Sequence, residues 1–227
     1  MLSALIHLFY PHCCESCGRD LAPSEEVLCL RCHLRLPATR FHLLPENPVE
    51  KLFWGRMPVE HAAAAYFFGK HSRLQHLIHA FKYQERRDIA LFLGRQMGLM
   101  LKESKWLNDI HIVIPVPLFK TRERKRGYNQ AGLLGEGICG VTGFPLVKDA
   151  LVRSTFTETQ THKGRGDRWE NVGKVFSAHA LERLHGRHIL LVDDVLTTGA
   201  TMEACARRLL EGEGVKVSVF CLAYTNL

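Results

Sequence analysis

Residues 188–201 read HILLVDDVLTTGAT, and the fold is legible from this stretch outward. Ile189 to Val192 is a short, uniformly apolar run that suits a strand buried on both faces of a parallel sheet. Two carboxylates, Asp193 and Asp194, follow it directly. Thr197, Thr198 and Thr201 then surround Gly199 and Ala200, and a helical pattern begins with Met202, Cys205, Ala206, Leu209 and Leu210. Strand, acidic pair, hydroxylated turn and helix together make an anion site with two carboxylates at its rim. Unpaired backbone N–H groups at the helix start, with the positive end of its dipole, favour a phosphate, and the threonine hydroxyls add donors. Gly199 is read as the residue that lets the backbone approach that phosphate closely. Carboxylates repel phosphate, so Asp193 and Asp194 are expected to serve ribose hydroxyls or Mg²⁺ beside it. The competing reading is an ordinary strand-to-helix turn whose acids cap the helix.

Composition bounds the rest. A chain of 227 residues with 46% hydrophobic content can bury one sizeable core and a small appendage. A formal charge of +7 and a pI near 9.1 favour anionic partners such as nucleotides, pyrophosphate or nucleic acid. No apolar run approaches the roughly 18 residues of a membrane span, and the first residues lack the basic start and cleavage signal of a secretory peptide, so a cytoplasmic location is expected. Five of the eight cysteines fall between Cys13 and Cys32, a clustering that points to metal rather than disulfides. Cys139, Cys205 and Cys221 sit singly inside apolar segments and read as small core residues.

From the N-terminus, Met1 to Tyr10 carries Leu2, Leu5, Ile6, Leu8 and Phe9 and reads as one short docking helix. The pairs Cys14-x-x-Cys17 and Cys29-x-x-Cys32 follow, eleven residues apart, with Gly18 placed to turn the first knuckle. Each pair presents two thiolates at adjacent corners of a tetrahedron, so two pairs complete a closed structural Zn²⁺ site. Cys13 is an alternative first ligand, and a redox dithiol is the competing reading of either pair. Residues 37–60 are rich in proline and read as a connector, with Leu52, Phe53 and Trp54 as an apolar knot packed on the main domain. Ala62 to Phe68 reads as a strand. Leu74, Leu77, Ile78 and Phe81 then form a helical stripe carrying His71, His76 and His79, which are read as packing or solvent-facing histidines rather than metal ligands. Lys82, Tyr83, Arg86 and Arg87 separate it from a second helix over Asp88 to Lys105, and these basic residues either reach a phosphate or are solvated.

Ile110 to Pro117 is a second buried strand ending in prolines that force a loop. That loop, Leu118 to Gln130, holds Lys120, Arg122, Arg124, Lys125 and Arg126 against Glu123 alone, the densest basic stretch of the chain. At the carboxyl end of a parallel strand, beside the end of the strand that leads into Asp193, it faces the ligand crevice of an open α/β sheet, unless it is merely a solvated charge run. A further helix starts at Tyr128 to Gln130 and continues to Val141. Arg153 to Asn171 lacks apolar periodicity, holds Arg153, Lys163, Arg165 and Arg168, and reads as a mobile basic loop suited to closing over a ligand. Val175 to Phe176 and Val215 to Leu222 complete the strands.

The stretch 188–201 resembles the PRPP-binding motif of type I phosphoribosyltransferases: an apolar strand, two acids, an apolar residue, any residue, then Thr-Thr-Gly-Ala/Ser-Thr. The wording IPVPLFKTRERKRGYNQA at 114–131, the series Arg153, Thr157, Gln160, Thr161, Arg165, Arg168, Asn171, the stretch LIHAFKYQERRDIA and the cysteine pairs narrow the resemblance to the ComF/GntX family over nearly the whole chain. Gly164 and Gly166 depart from the apolar or Ser residues more usual there. The resemblance implies an α/β fold, a type I phosphoribosyltransferase-like parallel sheet with flanking helices behind a small zinc ribbon. It divides the chain into a short helix plus ribbon at 1–36, the connector at 37–60 and a phosphoribosyltransferase-like domain at 61–227. It implies PRPP with its 5′-phosphate on Thr197, Thr198, Gly199, Ala200 and Thr201, its ribose hydroxyls on Asp193 and Asp194, and pyrophosphate with Mg²⁺ near Lys120, Arg122 and Arg126. Asp193 and Asp194 are the candidate catalytic pair, and Cys14, Cys17, Cys29 and Cys32 the candidate zinc ligands. Single-stranded DNA and competence proteins are the further partners implied, either as the setting of a transferase or as those of a non-enzymatic adaptor that keeps the site as a sensor. A base-salvage transferase is the third reading.

Overall fold

A computed structural model describes residues 12–153 and 175–225. The expected helix at Met1 to Tyr10 and all of the basic stretch beyond Arg153, with Lys163, Arg165 and Arg168, lie outside the described residues. The helices are α1 Leu30–His33, α2 Pro48–Lys51, α3 Arg73–Tyr83, α4 Arg87–Glu103, α5 Lys120–Arg126, α6 Gln130–Thr142 and α7 Ala200–Leu209. The strands are β1 Ala62–Phe67, β2 Ile112–Pro115, β3 Leu151–Arg153, β4 Phe176–Ala178, β5 His188–Leu196 and β6 Lys216–Tyr224.

Four strands form one parallel sheet in the order β1-β6-β5-β2. Its central strands are buried over the apolar runs Ile189 to Val192 and Val219 to Tyr224, as expected where helices cover both faces, so continuous apolar runs take the place of apolar and polar alternation. Helix α6 packs on β5 and β2, while α7 packs on β5 and β6. Pro115 is paired with Val192, and the Val116 N–H donates to the Val192 carbonyl at 2.9 Å. The Pro-Val-Pro segment and the acidic pair therefore leave the sheet side by side at its carboxyl edge, as the sequence led one to expect. The ribbon β3-β4 is antiparallel and stands apart from the main sheet.

Three readings need correction. Strand β5 does not stop at Val192 but continues through Asp193 and Asp194 to Leu196, because β6 is equally long and pairs with it out to Tyr224. The basic stretch after Pro117 is not simply a loop: Lys120–Arg126 is a helix, α5, closed by Gly127 at φ +76°. It has no buried residue, so it carries no apolar stripe by which periodicity would reveal it. Residues 37–60 hold regular structure too, with Asn47 capping α2 through bonds from the Val49 and Glu50 N–H groups. They also cover the β1 edge: the Phe67 N–H donates to the Pro37 carbonyl at 2.8 Å, and that of Thr39 to the Ala65 carbonyl at 2.9 Å. Within the apolar knot, Phe53 is fully buried whereas Trp54 is 57% exposed.

Helices α4 and α6 cross in close contact through glycines. A Cβ on Gly137 would lie 2.5 Å from the Leu91 carbonyl oxygen and 2.7 Å from the Arg95 nitrogen, both backbone atoms that cannot swing aside. Gly140, one turn on, has nothing within 4 Å of such an atom. Gly137→Ala is expected to destabilise the fold by about 1–3 kcal/mol, while Gly140→Ala is neutral or stabilising by up to about 1 kcal/mol. Thermal denaturation of the two variants reads the difference, and equal melting temperatures would refute the close crossing.

Candidate functional site

The end of β5 places two carboxylates in adjacent positions where the strand is only partly covered. The Asp194 backbone N–H donates to Asp193 Oδ1 at 2.8 Å. Lys82, on the last turn of α3, reaches across to place its Nζ 2.6 Å from Asp194 Oδ2, with both side chains mostly covered. Among the described residues Asp193 has no such partner. Burial, and secondarily the charge of Asp194, push its carboxyl up to about 7, against the opposing attraction of Lys82 and Arg153. The pair is therefore asymmetric: Asp194 is ion-paired with a lysine, and Asp193 is poised to exchange a proton near neutrality.

Beyond the acids the chain turns at Thr197 and Thr198, both exposed, and enters α7. Gly199 is the residue before that helix, at φ +77°, and no side chain caps the helix start. The first N–H groups of α7 and the hydroxyls of Thr197, Thr198 and Thr201 thus form an open donor set of the kind that takes a phosphate. The structure shows a second reason for glycine at position 199, beside the close approach to a ligand expected from the sequence. A Cβ there would come within 2.9 Å of the Phe53 ring and 3.1 Å of Leu52, and the left-handed backbone excludes most other residues in any case.

The connector holds this turn from below. Arg56 Nη1 donates to the Thr198 carbonyl at 2.8 Å and to the Leu52 carbonyl at 3.1 Å, and its Nε and Nη2 grip Glu203 Oε2 at 2.9 and 2.5 Å. Arg207 completes the network, bonding Glu203 and the Arg56 carbonyl. Arg56 was not marked by the sequence reading; the apolar knot just before it, Leu52 to Trp54, was the available signal that this segment docks on something.

The basic residues split between two clefts on either side of α5. Lys120 lines a cleft of about 280 Å³ with Pro115, Glu123, Asn129, Lys148 and Arg153. Arg122 and Arg126 line a second, of about 270 Å³, with Lys82, Tyr83, Lys125 and Tyr128. Thr197 to Thr201 line neither. Arg153 is held with its guanidinium 3.8 Å from the Phe119 ring centroid and 5.1 Å from that of Phe176. Burial pulls its pKa down, and Asp193 offsets this in part. Of Lys82, Tyr83, Arg86 and Arg87, only Lys82 pairs with one of the two acids. Arg86 pairs instead with Asp88 at 2.8 Å and with Glu15 at 2.5 Å, and Arg87 stacks on Tyr128. His76 faces Glu15 and His79 packs on Tyr83, so the three histidines form no ligand set among the described residues.

The sulfurs of Cys14, Cys17, Cys29 and Cys32 all lie within 4.8 Å of one another and form a cluster able to hold a metal ion. Gly18, at φ +74°, closes the first knuckle with its N–H on the Cys14 carbonyl, and the His33 N–H bonds the Cys29 carbonyl in the second. Burial works against ionisation of Cys14, but N–H groups of Cys29, Ser16 and Cys17 pointing at its sulfur win and bring the thiol down to about 7. Cys13 stands outside the cluster, its Sγ 3.6 Å from Asp20 Oδ1. Glu15, inside the first knuckle, fastens it to α3 and α4 through His76 and Arg86. Among the described residues no helix is long and apolar enough to cross a membrane.

Comparison with known proteins agrees with this geometry. The phosphoribosyl transferase domain family matches residues 105–226, which include β2, the acidic pair and the hydroxylated turn. The DNA utilization protein YhgH of Escherichia coli O157:H7 is 30% identical over 215 residues, covering 93% of this chain and 90% of its own. Competence protein ComFC of Bacillus subtilis is 30% identical over 213 residues, covering 93% and 77%. Competence protein F of Haemophilus influenzae is 32% identical over 151 residues, covering 65% and 66%. The chain belongs to the phosphoribosyl transferase domain family and, within it, to the ComF-like group of DNA utilization and competence proteins.

Proposed function

We propose that this protein binds PRPP, or a related 5′-phosphorylated ribosyl ligand, at the carboxyl edge of β5, and works in the cytoplasm in the uptake or use of DNA. The observation that carries the reading is the continuous run from an acidic pair into an uncapped helix start, with Asp194 held by Lys82 at 2.6 Å. The 5′-phosphate takes the donors of Thr197 to Thr201 and the first turn of α7, seated by Arg56. The ribose hydroxyls donate to Asp193 and Asp194. Mg²⁺, a hard cation suited to oxygen donors, supplies charge neutralisation for the pyrophosphate and would be held by the ligand's oxygens with this acidic pair. Lys120, in the cleft that also holds Arg153, faces the departing pyrophosphate, whereas Arg122 and Arg126 open into the other cleft. Loss of pyrophosphate leaves positive charge on the ribose, which the two acids stabilise until a nucleophile attacks the anomeric carbon. The second reading is an adaptor that contacts single-stranded DNA or competence proteins and uses the same site as a sensor; it is favoured by the names of the relatives. We further assign zinc to the cysteine cluster, since four thiolates in tetrahedral reach suit that ion and a segment this small gains its folding energy from one.

Titration calorimetry with PRPP and Mg²⁺ tests the first reading. Asp193 must release its proton to accept from a ribose hydroxyl, so affinity is expected to rise between pH 6 and 8 as its carboxyl, near 7, ionises. In Asp193→Asn that pH dependence flattens. The stability sign is opposite: a carboxyl raised in the folded state favours folding at low pH and loses that contribution as pH rises toward about 7. Asp193→Asn should therefore melt higher than the parent at pH 8, with the gain shrinking toward pH 5. Absence of PRPP binding at any of these pH values would end the proposal.

Metal analysis of the purified protein is expected to find zinc at one ion per chain, the ratio of a single four-thiolate site. Cys13→Ser should retain it, whereas Cys14→Ser should lose it together with several degrees of melting temperature, and the reverse pattern would move the first ligand to Cys13.

A further inference from the structure

The second cleft beside α5 contains more than a pyrophosphate requires. Four cations converge on it, Lys82, Arg122, Lys125 and Arg126, with Glu85 as the acid on its wall. Lys82 is engaged with Asp194, but among the described residues no carboxylate pairs with Arg122, Lys125 or Arg126. Arg126 bonds the neutral side chain of Gln130 at 2.9 Å. Two aromatic rings stand among these charges. Tyr83 is 63% exposed, with the Arg126 guanidinium 5.2 Å and the His79 ring 4.8 Å from its ring centroid. Tyr128 is buried, its hydroxyl bonded to the Phe81 carbonyl and its ring covered by Arg87 at 4.9 Å, so it forms a fixed wall.

Unpaired cations around an exposed, guanidinium-flanked ring select for a ligand with both negative charge and a flat face. An inorganic anion leaves the ring unused, and a free base, being neutral, leaves the cations unused. We propose that this cleft binds a nucleotide unit, its base stacked on Tyr83 and its phosphate on Arg122, Lys125 and Arg126. The unit is either a free mononucleotide or one residue of a single strand. Because Lys82 lines the cleft and touches Asp194, the bound nucleotide lies next to the acidic pair. The inference does not rest on the PRPP reading, since Tyr83, Arg122, Lys125 and Arg126 lie in the cleft opposite Lys120, and it gives the single-strand reading a specific place on the protein.

Fluorescence anisotropy with a short labelled oligothymidylate, over a salt series, tests this on the full-length protein. The expected results are an affinity lowered about tenfold by Tyr83→Ala with the salt slope unchanged, retention by Tyr83→Trp, and a slope in log affinity against log salt reduced by about 0.7 in Lys125→Ala. Competition by thymidine 5′-monophosphate would identify a mononucleotide site, and its failure against an effective unlabelled strand would identify a strand; either supports a nucleotide unit. The proposal is overturned if Tyr83→Ala binds the oligonucleotide as well as the parent, if neither variant changes binding, or if pyrophosphate or polyglutamate displaces the probe as well as the nucleotide does. Melting curves of each variant guard against misfolding. PRPP calorimetry on the parent is a separate readout, so loss of one function leaves the other measurable.

Discussion

Two carboxyl groups on consecutive residues at the end of a buried strand cannot both hold a full charge without help, and much of the surrounding structure follows from this constraint. Help comes from one cation for one acid. Lys82 takes Asp194, which places the end of α3 over the carboxyl edge of the sheet, while Asp193 is left to carry a proton up to about neutral pH. Arg153, clamped between Phe119 and Phe176, contributes a more distant positive charge without a direct bond to either acid. The resulting site is electrostatically uneven before any ligand arrives. A ligand reaching this edge meets one acid already paired with a lysine and another that still carries a proton close to neutral pH.

The parallel sheet was legible because its strands are buried on both faces and are therefore written as unbroken apolar runs, and because the acids and the hydroxylated turn follow one of them without interruption. The cysteine pairs were legible for a similar reason, since a metal site built from knuckles is encoded by local spacing. What escaped was information carried by distant residues. Strand β5 runs past its apolar run only because β6 extends to Tyr224 beside it. Helix α5 is exposed on every side, so nothing in the order Lys-Thr-Arg-Glu-Arg-Lys-Arg marks a helix except the glycine that ends it. Tyr83 and Tyr128 look like scattered aromatics in the chain, and the bond from the Tyr128 hydroxyl to the Phe81 carbonyl of α3 ties the two to one cleft. The packing of Gly199 on Phe53, distant in the chain, likewise shows only in the fold.

The charge of the chain acquires a location in the same way. Much of the basic excess is tied down: Arg56 and Arg207 on Glu203, Arg86 on Glu15 and Asp88, Arg95 on Glu26. These pairs hold the cysteine module and the connector to the sheet. On α5, Lys120, Arg122, Arg124, Lys125 and Arg126 stand within seven residues with no carboxylate partner among the described residues, so a modest net charge yields a strongly positive local surface at the rim of both clefts.

The Arg56 clamp bears on where this protein can be cut. Residues 37–60 contribute an added backbone pairing at the β1 edge, the Phe53 ring beneath Gly199 and the guanidinium that holds Thr198 and Glu203. The part matched by the phosphoribosyl transferase family begins only at residue 105. A fragment trimmed to that match, or even to the first strand at Ala62, would keep both acids and Thr197, Thr198 and Thr201 yet lose the underside of their turn. The stretch of chain that builds this edge accordingly starts near Pro37, upstream of every strand in the sheet that displays it.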